Sequence, residues 1–214
     1  MPLRNACFIS FRHGDQELTQ RFISELHKGL LGELETQFGR DVGVFLDNAR
    51  LRGGDLFNEA IAEHLCESTC LLIVYTPSYF DLKYSYCARE YKAMVELERQ
   101  RLGMLGQGID QTHGLIIPVV FRGENTMPPE IRKNRLCYDF ADFLMVGRAL
   151  NKHKKFAATL RDMAEYIAER HRTISALVPS NCAGFRLPNE VDIRAWLTSV
   201  IPGPPPLPGR SDDQ

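Results

Sequence analysis

The sequence has almost no excess of either charge: 26 Lys+Arg stand against 27 Asp+Glu, a net charge of −1 over 214 residues. A non-specific nucleic-acid binder needs surplus, clustered cations to displace counterions, so no direct nucleic-acid contact is expected. Long apolar runs are missing too. None approaches the roughly 20 residues of a membrane helix, and Met1-Pro2-Leu3-Arg4-Asn5 lacks the apolar core of a signal peptide. The expectation is a cytoplasmic protein with no membrane partner. Cysteine is sparse: Cys7, Cys66, Cys70, Cys87, Cys137 and Cys182 are too scattered for a secreted disulfide scaffold. His64, Cys66 and Cys70 are the only dense group of metal-ligand types, and no second pair with zinc spacing follows them. These cysteines read as small buried hydrophobes, and no metal site is expected.

Several catalytic signatures are absent as well. There is no Gly-x-x-x-x-Gly-Lys-Ser/Thr phosphate loop, and no Gly-x-Gly-x-x-Gly follows the first strand-like run. Gly103, Gly106 and Gly108 form a glycine-rich stretch, but it leads toward a strand instead of opening a helix. No Gly-x-Ser-x-Gly elbow occurs. A receiver domain would carry acids at the end of its first strand, where Phe11-Arg12-His13 stands.

What is present alternates in type. Cys7-Phe8-Ile9-Ser10-Phe11 reads as a buried strand. With Asp15 as N-cap, Leu18, Phe22, Leu26, Leu30, Leu34 and Phe38 recur every four residues, the mark of an amphipathic helix. Val42 to Leu46 is a second strand, followed by a polar loop from Asp47 to Gly54 and a helix from about Asp55. Cys70 to Tyr75 is apolar without alternation and so is buried on both faces. A helix over about Ser85 to Arg101, a strand over Leu115 to Phe121, a fifth strand near Leu136 to Phe140 and a helix from about Lys152 to Arg172 follow. Pro118 cannot donate to a ladder, which puts its strand near the sheet edge.

Strands alternating with helices specify an α/β domain, a flavodoxin-like doubly wound five-stranded parallel sheet over residues 1–172. Ligands in such sheets bind at the carboxyl ends of the strands. The functional loops are therefore Phe11–Asp15, Asp47–Asp55, Tyr75–Ser85 and Phe121–Glu130. Residues 173–201 form a C-terminal helical extension, in which Ile193, Trp196, Leu197 and Val200 make an apolar stripe. The stripe either packs back on the domain or meets a partner protein. Residues 202–214 are a proline-rich tail or linker.

In Ser85-Tyr86-Cys87-Ala88-Arg89-Glu90, Tyr86 and Glu90 stand at i and i+4, on one face of the helix. The ring can pack a base or ribose, and the carboxylate can bond ribose hydroxyls or face a forming oxocarbenium ion. Helix surfaces carry many solvated glutamates, so these residues alone leave Glu90 open between the two roles.

The order of motifs resembles the Toll/interleukin-1 receptor (TIR) domain family. Phe8-Ile9-Ser10-Phe11-Arg12 looks like its opening strand, commonly Phe-Ile-Ser-Tyr. Val44-Phe45-Leu46-Asp47 and Leu51-Arg52-Gly53-Gly54-Asp55 resemble the second strand and the BB loop. Leu71 to Tyr79 is similar to the third strand and its Ser-x-x-Tyr continuation, and Tyr86-Cys87-Ala88-Arg89-Glu90 to the Trp-Cys-x-x-Glu box. The likeness spans about residues 5 to 172.

The resemblance implies a TIR fold and, for the bacterial NAD⁺-cleaving type, Glu90 as the catalytic residue. Phe11, Arg12 and Tyr86 then line the nicotinamide-nucleotide pocket, with Asp47, Arg52 and Gly54 on the BB loop as further substrate-binding positions. Phe11 stays open between this role and core packing. Arg12, Arg50 and Arg52 stay open between pyrophosphate contact and solvation. Tyr at 86 and Phe at 11 depart from the usual Trp and Tyr but keep an aromatic face. The implied function is NAD⁺ glycohydrolysis to nicotinamide and ADP-ribose or a cyclic isomer, in antiphage defence or immune signalling. It uses no cofactor, since NAD⁺ is consumed, and is activated by TIR–TIR self-association through the BB loop. Two rivals remain: a non-catalytic TIR interaction module, and a nucleoside deoxyribosyltransferase-like enzyme.

Overall fold

The computed structural model describes residues 3–14, 17–46, 57–105, 114–143, 153–178 and 181–201. Its five strands are β1 (Asn5–Phe11), β2 (Gly43–Leu46), β3 (Ser68–Tyr75), β4 (Ile116–Val120) and β5 (Tyr138–Asp139). All pair in parallel, in the order β2-β1-β3-β4-β5. This is the doubly wound order in which a site forms beside the first strand, where the chain turns from one direction of winding to the other. Every residue of β1 and β3 is buried, as their unalternating apolar runs require. β4 lies second from the edge, and Pro118 sits opposite Ile73 of β3.

The helices are α1 (Glu17–Phe38), α2 (Phe57–Cys66), α3 (Tyr86–Gly103), α4 (Pro129–Asn134), α5 (Lys154–Leu177) and α6 (Glu190–Val200). α1 and α5 pack together on the sheet, α2 packs on α3, and α6 lies against α3. The four-residue repeat of α1 buries Phe22, Leu26, Leu30 and Leu34, while Phe38 is half-buried. Leu18, expected on that stripe, is 44% exposed, and Thr19 takes the buried place in the first turn. α4 was not foreseen in the loop after β4. It starts at Pro129, where the missing N–H costs nothing at the first helical position. α5 runs to Leu177, past the expected end at Arg172.

Two buried charges on α3 hold that helix against the sheet. Arg101 donates to the carbonyls of Cys66 at 2.5 Å and Ser68 at 2.6 Å, in the connection between α2 and β3. Burial brings its guanidinium down to about 10, and these carbonyls replace the lost water. Glu98 accepts from the Leu115 and Ile116 amides at the start of β4 and pairs with Arg135 at 2.6 Å. Both anchors lie near the C-terminus of α3. They leave its first two turns, with Glu90, at the opposite end of the sheet, where β1 finishes.

The cysteine expectation needs correcting. Cys66 and Cys182 form a disulfide that ties α2 to the extension, whereas Cys7, Cys70, Cys87 and Cys137 are outside any disulfide. Cys66 is thus a cross-link and not a small hydrophobe, and cysteine usage no longer argues for the cytoplasm. His64 stacks on Phe45 with ring centres 3.9 Å apart, so the dense group divides between separate structural tasks. The stripe on α6 turns inward: Ile193 and Leu197 are buried, and Trp196 stacks on Tyr91 at 5.6 Å. No helix among the described residues is long and apolar enough to cross a membrane.

Candidate functional site

Three chain segments converge at the carboxyl end of β1. The strand's last residues deliver Ser10 and Phe11, and the chain continues through Arg12 and His13. The segment after β3 turns back on itself, with the Tyr79 amide donating to the Thr76 carbonyl at 2.9 Å. It continues through Tyr84 into α3, whose first two turns carry Tyr86, Cys87 and Glu90. Between them lies a cavity of about 210 Å³, lined by Ser10, Phe11, Arg12, Tyr84, Tyr86 and Glu90, with Ile61 of α2 on its wall. That volume is below the roughly 300–1,000 Å³ of sites that enclose a drug-sized ligand.

Glu90 is 4% exposed, unlike the solvated glutamate that helix statistics favour. Ser10 Oγ donates to Glu90 Oε2 at 2.5 Å, and Ser10 Oγ is also 2.5 Å from the Tyr79 hydroxyl. A carboxylate taken out of water needs such donors, since an unsolvated charge is costly. The Cys87 thiol donates to the Phe11 carbonyl at 3.4 Å, which links the start of α3 to the end of β1. Burial raises the Tyr79 phenol well above its usual range, with the neighbouring Cys87 and Glu90 adding to the effect.

The sequence-expected residues distribute as follows. Phe11, Arg12, Tyr86 and Glu90 come together at the cavity. Phe11 is almost fully buried and also lines the cavity, its ring 4.4 Å from that of His13. Arg12 lays its guanidinium over the Tyr84 ring at 3.7 Å and donates to the His13 carbonyl at 2.6 Å. Tyr86 is 40% exposed at the rim, with the Arg89 guanidinium 5.3 Å from its ring centre. Asp47, Arg50, Leu51, Arg52 and Gly54 lie outside the described residues.

Ser10, Tyr79 and Tyr84 join the site without having been singled out as site residues. Ser10 carried a signal in retrospect: it is the one hydroxyl in an otherwise apolar run, and a buried hydroxyl requires a partner. That the partners are Tyr79 and Glu90 depends on contacts 69 and 80 residues apart, which local pattern does not encode. The chemistry available is a buried carboxylate facing a small chamber with aromatic walls and a cation at its rim.

The TIR domain family model matches residues 7–151 of the chain. No curated protein matches it at a significant level. Among solved structures, the chain is similar to the TIR domains in the activated Roq1 resistosome that directly recognizes the pathogen effector XopQ. The identity is 15%, the match covers 90% of this chain and 96% of that one, and the TM-score is 0.40.

Proposed function

The chain belongs to the TIR domain family, and from that membership we propose that it is an NAD⁺ glycohydrolase acting through Glu90. The observation that carries this reading is the Glu90 carboxylate, buried yet on the wall of an aromatic-lined cavity at the carboxyl end of the sheet. Nicotinamide in NAD⁺ is a cationic pyridinium that leaves neutral, taking the electron pair of the ribosyl C–N bond. Positive charge then develops at the anomeric carbon. A fixed carboxylate in a chamber of low polarity stabilises that charge more than water does. Tyr86, Tyr84 and Phe11 offer ring faces to the nicotinamide, while the rest of the dinucleotide extends past the rim toward Arg12. Water adding at the anomeric carbon gives ADP-ribose and releases a proton, whereas attack by the substrate's own adenosine ribose gives a cyclic isomer. No metal or resident cofactor enters this route.

By family resemblance, the setting is antiphage defence or immune signalling, and self-association raises the activity. Nicotinamide release from NAD⁺ should therefore be followed chromatographically across a protein dilution series. Glu90→Gln keeps the size of the side chain and removes its charge. It should lower turnover on the order of 100- to 1,000-fold with the fold intact. A folded Glu90→Gln protein with wild-type turnover removes Glu90 from the mechanism. A wild-type protein that leaves NAD⁺ untouched at every concentration refutes this reading, and base exchange on a free deoxynucleoside then separates a deoxyribosyltransferase-like enzyme from a non-catalytic TIR module.

A further inference from the structure

We propose that Tyr79 and Ser10 form a hydroxyl relay that fixes the Glu90 carboxylate in its working orientation, making both positioning residues of the NAD⁺-cleaving site. This deepens the function proposed above and rests on it. The relay is short and buried. Tyr79 OH to Ser10 Oγ and Ser10 Oγ to Glu90 Oε2 are each 2.5 Å, and the three residues are 0%, 1% and 4% exposed.

Proton counting gives the relay a direction. Ser10 spends its single hydroxyl proton on Glu90 Oε2. The Tyr79–Ser10 bond must then be donated by Tyr79 into a Ser10 lone pair. Burial keeps the Tyr79 phenol protonated, as a terminal donor must be. Each donated bond polarises the next, and the carboxylate at the end gains most.

The fold holds each member separately. Ser10 is held in β1 in register with Ile73 of β3. The turn closed by the Thr76 carbonyl aims Tyr79, and its ring meets Phe80 edge-on at 4.8 Å. Glu90 sits on the second turn of α3. Strand, turn and helix thus fix one carboxylate oxygen from behind, while the side chain also faces the cavity. The plainer alternative is that three polar groups in the core only satisfy one another. That role would affect stability and leave chemistry alone.

The test separates the two with kcat, KM and thermal midpoint measured on NAD⁺ for Tyr79→Phe, Ser10→Ala and the double variant. Tyr79→Phe keeps the ring and is the safer fold. It should lower kcat about tenfold, and Ser10→Ala between about 10- and 100-fold, in line with hydrogen bonds to a charged group. KM should stay within about twofold. Because Tyr79 acts only through Ser10, the double variant should have the kcat of Ser10→Ala alone. Folded Tyr79→Phe with wild-type kcat overturns the relay, and so do single losses that multiply in the double variant. Glu90→Gln run in parallel distinguishes the failures. If it is inactive while Tyr79→Phe is normal, the relay alone falls. If Glu90→Gln is fully active, or wild type never consumes NAD⁺, the function and the relay fall together.

Discussion

Reducing the Cys66–Cys182 disulfide should destabilise the folded chain by a measurable amount without dissolving the sheet. The bond closes a loop with a sequence separation of 116, for which the chain-entropy model gives roughly 5 kcal/mol of stabilisation through the unfolded state. Residual compactness of the reduced unfolded chain lowers that figure, so about 2–4 kcal/mol is the expected loss. The extension keeps other attachments: Arg89 Nε donates to the Pro188 carbonyl at 2.7 Å, Arg186 pairs with Glu59 at 3.2 Å, and Leu187, Ile193 and Leu197 are buried. It should therefore stay docked after reduction. Cys182→Ser is the better variant, because Cys66 is the more deeply buried partner and a serine there would bury a hydroxyl. Urea unfolding with and without reductant is the assay. Wild type should lose stability on reduction, and Cys182→Ser should match reduced wild type and ignore the reductant. Thiol titration of the unfolded, unreduced protein should find the four cysteines outside the bridge. Finding all six cysteines of the chain as thiols, or a urea midpoint unmoved by reduction, would refute the cross-link.

Two further outcomes are expected. Tyr86→Ala should cut turnover at least about tenfold while Tyr86→Trp and Tyr86→Phe stay close to wild type, because a half-exposed ring at the cavity rim supplies a face and not a proton; a large loss with Phe would make the hydroxyl the active group. Stability should also decline as pH falls from about 6.5 toward 4. Burial, with Arg172 adding to it, brings folded His171 down to about 4, so in that window the unfolded chain binds a proton that the folded chain does not. His171→Leu should flatten that part of the urea-midpoint profile, and an unchanged slope would assign it to other groups.

How much of this was legible in the sequence depended on the range of the interaction involved. β1 and β3 could be read because burial on both faces writes itself into consecutive residues; helical spacing placed Tyr86 and Glu90 on one face but left Glu90 open, and only the family resemblance singled it out. Charge was the misleading signal. Glu90, Glu98 and Arg101 on one helix look like a solvated surface, yet all three are buried. Glu98 and Arg101 bond to backbone at the starts of β4 and β3, where a parallel sheet leaves amides and carbonyls without ladder partners. Those partners lie 17 to 35 residues away, the disulfide 116, and the Ser10–Glu90 bond 80. No periodicity in the chain reports distances of that kind. The same separation means that Glu90 is held by strand, turn and helix together, each supplied by a different part of the chain. A substitution that loosens only one of those supports should therefore leave the fold standing and change the carboxylate's aim, which is what the Tyr79→Phe measurement is built to detect.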